Sequence, residues 1–111
     1  MTDRELSPEI AAELLARGDA QLVDVREPYE HAAGRIGGAR HVELTALAAE
    51  AETIERDKPV VFYCRSGSRS AMATQAFAGA GYDAHNMAGG LLEWEAAGLP
   101  LDPPDGHVAS G

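Results

Sequence analysis

The only cysteine of the chain, Cys64, is followed without interruption by Arg65, Ser66, Gly67, Ser68 and Arg69. It stands at the end of the apolar run Val60–Tyr63, and a segment of helical character begins at Ser70. Small residues at Ser66, Gly67 and Ser68 allow the backbone to curl so that successive N–H groups point inward, and with the following helix N-terminus they form a nest for negative charge. A thiolate is the anion that fits. Such surroundings bring a cysteine pKa from ~8.5 down to roughly 3.5–7.5, which makes the sulfur a nucleophile at neutral pH. Arg65 and Arg69 are the cations available to a small anionic substrate. A lone cysteine is often no more than a small buried hydrophobe closing a strand, but a core cysteine has no use for a basic, glycine-containing loop directly after it.

The charge distribution points to the same loop. Between Lys58 and Tyr82 there are three cations and no acid, whereas the rest of the chain holds the other six cations and all 18 acids. A positive island on a protein of net charge −9 suits a small anion and repels a large polyanion, so nucleic acid is excluded as a partner. The longest uninterrupted apolar stretch is the five residues Val60–Cys64, far short of the ~20 that a membrane span needs, and Met1–Glu5 has no hydrophobic signal core. These features predict a cytoplasmic protein with no membrane contact. One cysteine also excludes an internal disulfide, a Cys-x-x-Cys pair and a thiolate-rich metal site. Without ligand spacing, His31, His41, His85 and His107 read as surface or structural residues, so neither metal nor cofactor is expected.

The elements that must position this loop are those of a small α/β domain, as 111 residues with 45% hydrophobic content suffice for one core. Ser7, Pro8 and Glu9 open a helix with Ile10, Leu14 and Leu15 as its buried stripe, ended by Gly18. Gln21–Val25 reads as a strand, Pro28–Ala33 as a helical turn and Ala39–Val42 as a small strand. Thr45 is expected to cap a helix reaching Thr53. Pro59–Tyr63 is the continuous apolar run of a parallel strand buried on both faces. Ser70 to about Ala80 has helical character, with Met72, Gln75 and Ala76 on successive turns. Ala84–Met87 is a further strand, and Leu91–Ala97 a last helix with Trp94 as core anchor. Alternating strands and helices predict a parallel sheet with helices on both faces. Residues 1–101 form the domain, and the tail 102–111, poor in core-forming residues, is expected to be disordered.

Three stretches resemble the rhodanese family of sulfurtransferases. Leu22-Val23-Asp24-Val25-Arg26-Glu27, with Glu30 and Gly34–Ala39, is similar to its N-terminal signature, and Cys64–Ser70 to its active-site loop. Gly89-Gly90-Leu91 through Trp94, Gly98, Leu99 and Pro100 is similar to its C-terminal signature. The departures are Arg35 where the family usually has His and Gly37 where it usually has Pro. The resemblance implies a sheet of about five parallel strands and a reaction in which Cys64 takes the outer sulfur of a donor such as thiosulfate. The sulfur is held as a persulfide, and a thiol, a protein acceptor or cyanide removes it. With no second cysteine as resolving thiol, the sulfur must pass to another molecule, and the protein is expected to act as a monomer. A non-catalytic rhodanese-like carrier or regulatory module is the alternative, marked by loss of the cysteine or of the basic loop, and neither is lost here. A cysteine phosphatase or arsenate reductase fits less well, because Cys-x5-Arg needs Arg where this chain has Ser70.

Asp24 lies inside an apolar strand, where an unpaired carboxylate is costly. Asp24, Arg26 and Glu30 are therefore expected to brace the loop, with Asp24 or Glu30 pairing with Arg69 or Arg26. Arg65 is expected to meet the donor, and Cys64 Sγ to sit at the bottom of a shallow pocket at the carboxyl edge of the sheet. A sulfur buried away from solvent and facing the core would refute the catalytic reading.

Overall fold

The computed structural model describes residues 4–111. Ser7 caps helix α1 (Pro8–Arg17), its side chain accepting the Ile10 N–H at 3.2 Å, with Pro8 in the first turn. The strands are β1 (Glu5–Leu6), β2 (Gln21–Asp24), β3 (Arg40–His41), β4 (Val60–Tyr63) and β5 (Ala84–Met87). They form one sheet in the order β1-β5-β4-β2-β3, with every pairing parallel. The further helices are α2 (Pro28–Ala33), α3 (Leu47–Glu50), α4 (Ser68–Gly79) and α5 (Gly90–Ala96).

β4 explains why the apolar run is continuous. It lies between β5 and β2, and all four of its residues are buried. Val60 and Phe62 face a core layer with Leu47, Ala73 and Phe77 from the α3 and α4 side, while Val61 and Tyr63 face Ala11, Leu91 and Trp94 of α1 and α5. Each large apolar side chain buried here stabilises the fold by roughly 1.5–3 kcal/mol. The sheet therefore carries helices on both faces. β2 leads outward to β3 on one side and β4 to β5 on the other, so the chain changes direction between the neighbouring strands β2 and β4. At the carboxyl ends of such a pair a crevice opens, and in this fold class that is where ligands bind.

Two local readings need correction. Ile10 is 46% exposed, and Ala11 fills the inner face of α1 instead. Thr45 caps nothing; the expected helix to Thr53 is a 3-10 turn (Leu44–Ala46), the single turn α3 and a second 3-10 turn (Ala51–Thr53), with Glu43 before the first. Helix α4 buries Ser70, Ala73, Thr74 and Phe77, whereas Met72 is 63% exposed. Its inner face touches the sheet through small side chains, and only Phe77 reaches deep, so the larger Met72 is left on the outer side. The short edge strand β1 is too brief to show any alternation and goes unseen in the sequence.

The tail also differs from its expectation of disorder. Arg35 and Asp102 exchange backbone hydrogen bonds of 3.0 and 2.7 Å, the His107 N–H donates to the Ala33 carbonyl at 3.0 Å, and Val108 packs against the α1 and α5 layer. Tyr29 Oη donates to the Ser110 carbonyl at 2.9 Å. Backbone hydrogen bonds hold this segment, and composition does not reveal them. Arg35 and Gly37, the two departures from the family pattern, both lie at this junction, where an added Cβ on Gly37 would stand 3.6 Å from Asp102.

Candidate active site

Cys64 is the first residue beyond β4, and the loop from Arg65 to Gly67 turns the chain directly into α4. Gly67 is the pivot, at φ 103°, a left-handed conformation that a side chain disfavours. Its N–H donates to Cys64 Sγ at 3.1 Å, and the Ser70 hydroxyl lies 3.3 Å from the same sulfur. Burial pushes the Cys64 thiol up, but the Ser70 hydroxyl and the N–H groups of Ser70, Gly67 and Ser66 outweigh it and hold the thiol below its ordinary value. These donors favour the thiolate form of the sulfur over the thiol. Ser70 was legible only as the residue that opens the helix; its place on the first turn of α4, six positions after the cysteine, aims its hydroxyl back at Sγ.

The base of the loop is fixed from behind by α5. The Leu91 N–H donates to the Cys64 carbonyl at 2.8 Å and the Leu92 N–H to the Arg65 carbonyl at 3.1 Å. Gly90 makes this approach possible, because a Cβ there would stand 2.5 Å from the Cys64 carbonyl oxygen. Any larger residue would push α5 away from the nucleophile.

The bracing side chains divide into two pairs. Asp24 and Arg26 pair with each other, both with fully buried side chains, through bonds of 2.9 and 2.7 Å. Arg26 also donates to the Gly34 carbonyl at 2.8 Å, and Asp24 accepts from the Tyr63 hydroxyl at 3.1 Å. This pair holds the loop after β2 and the strand below Cys64; it does not touch Arg69. Glu30, fully buried, takes Arg69 in a bidentate pair at 2.8 and 3.0 Å. Burial raises both carboxyls, but Arg26 and His31 at Asp24, and Arg69 with the Glu27 N–H at Glu30, hold them below the usual carboxylate range. His31 bonds Asp24 at 2.9 Å and stacks on His41, whose Nε2 lies 2.8 Å from the Arg26 carbonyl. Trp94 Nε1 donates to the Pro100 carbonyl at 2.8 Å.

Arg65, Ser66 and Ser68 form the rim. Ser66 and Ser68 are exposed and Arg65 is half-buried. Among the described residues Arg65 makes no ion pair, and its Nε is buried without a partner. The expectation of a shallow open pocket over the sulfur is corrected: Cys64 has no exposed surface and belongs to the core layer of Val25, Phe62 and Ala73. By burial the cysteine meets the condition set against a catalytic role, and its sulfur differs from an apolar filler in its contacts with the Gly67 N–H and the Ser70 hydroxyl. The loop closes over it, and the tail adds to the rim, Gly111 lying against Arg65, Arg69 and Glu30.

The chain is similar to known proteins of one family. The family model of the rhodanese-like domain matches residues 7–97. The chain is 36% identical over 101 residues to a sulfurtransferase of Allochromatium vinosum, covering 90% of this chain and 94% of that protein. It is 33% identical over 108 residues to the thiosulfate sulfurtransferase GlpE of Pseudomonas aeruginosa, covering 96% of each. A crystal structure of a rhodanese-related protein from Thermoplasma volcanium superposes with a TM-score of 0.82 at 28% identity, covering 88% of this chain and 96% of that one.

Proposed function

Because this chain belongs to the rhodanese-like domain family of sulfurtransferases, we propose that Cys64 carries sulfur as a persulfide between a small anionic donor of the thiosulfate type and a thiol or cyanide acceptor. The observation that supports it most is the set of donors around Cys64 Sγ, the Gly67 N–H, the Ser70 hydroxyl and the loop N–H groups, which favour its thiolate form. The thiolate attacks the outer sulfur of the donor. A bond forms between Sγ and that sulfur, the donor's S–S bond breaks, and its electron pair leaves on sulfite. The terminal sulfur of the persulfide inherits the negative charge, which the same donors face. An acceptor thiolate or cyanide then attacks the outer sulfur and the Cys64 thiolate departs. No external oxidant or reductant enters either step.

Arg65 is the cation left for the donor, since Arg69 is committed to Glu30. With one cysteine in the chain the sulfur leaves to another molecule, a small thiol or a protein acceptor. Cytoplasmic location and action as a monomer belong to the same proposal. Cys64→Ser tests it, since serine keeps an acceptor for the Gly67 N–H but is no sulfur nucleophile. Thiocyanate production from thiosulfate and cyanide is expected to vanish while the thermal melt stays cooperative. Transfer retained in that folded variant would end the persulfide reading.

A further inference from the structure

Gly67 donates its N–H to the sulfur, yet it is the freest joint in the loop, a glycine at φ 103° and ψ −8°. Its orientation needs a tether from outside. One tether is ordinary helix geometry, the Ala71 N–H reaching the Gly67 carbonyl at 3.1 Å. The other comes from β5, where Asn86 Nδ2 donates to the same carbonyl at 3.1 Å.

Asn86 is itself held in one orientation. Nδ2 also lies 3.0 Å from Glu5 Oε2 and 3.3 Å from Oε1, so its two hydrogens serve the Gly67 carbonyl and the Glu5 carboxylate. Turning the amide over would set Oδ1 against these acceptors. Glu5 and Asn86 are register partners of the parallel pair β1 and β5, so the edge strand presents the carboxylate at the right height. Asn86 is 3% exposed, and its Oδ1 is buried without a partner. An unpaired buried acceptor is a cost to folding that an apolar residue at this β5 position would avoid. The residue is explained by its donor end.

We propose that Asn86 is a positioning residue for the sulfur cradle: its amide, oriented by Glu5, fixes the Gly67 carbonyl and thereby the N–H groups of the loop that face Cys64 Sγ. The proposal rests on Cys64 acting as the sulfur-accepting thiolate, and it adds the edge strand to the machinery that keeps the cradle closed around the negative charge.

The thiolate absorbance of Cys64, read as the difference between each protein and its Cys64→Ser counterpart across a pH titration, tests this. Asn86→Leu keeps the volume and removes the donor, and its midpoint is expected to move up by about one pH unit, the effect of weakening one charge-assisted hydrogen bond. Glu5→Ala is expected to move it up by less, because Asn86 loses its orientation but keeps its donor. Glu5→Gln retains an acceptor and is expected to undo that rise. The direction is decisive: acting only as a nearby negative charge, Glu5 would raise the thiol, and its removal would lower the midpoint. A Glu5→Ala midpoint that falls or stays with the wild type overturns the proposal, as does an unmoved midpoint in folded Asn86→Leu. Should Asn86→Leu not fold, the exposed Glu5 position carries the test alone. No sulfur donor is used, so a raised midpoint in a protein that never takes up sulfur would keep the cradle and reject the persulfide.

Discussion

Two loops leave neighbouring strands at the same edge of the sheet, and they treat charge in opposite ways. The segment after β2 pairs its charges: Asp24 holds Arg26 in a fully buried pair, and Glu30 reaches across to Arg69 of α4. The loop after β4 gathers dipoles around a single sulfur and, among the described residues, leaves Arg65 without an acid. Because the first loop neutralises Arg69, the cation nearest the acids becomes a strut and the other remains for the substrate. A rigid, internally paired loop beside a loop with free donors is an economical way to bind an anion without flooding the site with charge.

Removing Asp24 is the harshest way to break that contrast. Asp24→Ala leaves the Arg26 guanidinium buried without its partner, a loss of about 3–5 kcal/mol by the behaviour of broken buried pairs. Urea unfolding measures it; a loss below about 1 kcal/mol would show that the β2 loop is not the rigid member.

The two arginines sharpen it further. Arg69→Ala is expected to cost about 1–3 kcal/mol, because Glu30 stays buried and keeps only the Glu27 N–H. Arg65→Ala should change stability by no more than about 0.5 kcal/mol while raising KM for thiosulfate. Raised salt should imitate the loss of Arg65 more than that of Arg69, since the sheltered pair is screened less. Melts and kinetics at two salt concentrations decide this, and a stability loss confined to Arg65→Ala would reverse the division of labour.

A smaller effect follows from the sign of the Glu30 shift. Its folded pKa is depressed, so the stability it contributes is present above its ordinary value near ~4.3 and is lost as pH falls through the folded value. The difference between wild type and Arg69→Ala should therefore be full above about pH 5 and close as the pH drops below about 4. Urea midpoints of the two proteins across this range check it; a gap that widens in acid would mean that Arg69 works through something other than the Glu30 carboxylate.

The reacting loop was readable in the sequence because its signals are local. An apolar run, one cysteine, small residues and a helix start follow each other within a dozen positions, and Asp24 betrayed its pairing by sitting in an apolar strand. What escaped depends on contacts distant in the chain. Ser70 looked like a helix-opening residue until the turn of α4 aimed it at the sulfur, and Asn86 lies 19 positions from the carbonyl it holds. The inner face of α4 is hard to read because Ser70, Ala73 and Thr74, which line it with Phe77, carry little hydrophobic contrast, while the larger Met72 is exposed. The complete burial of Cys64 is a tertiary outcome that no periodicity encodes.

The most direct measurement is the mass of the intact protein after incubation with thiosulfate and removal of the excess. A gain of about 32 Da, one sulfur atom, mapped to Cys64, lost on treatment with cyanide and absent from Cys64→Ser, is the expected result. An unchanged mass, or a gain carried equally by Cys64→Ser, would contradict a persulfide on this cysteine.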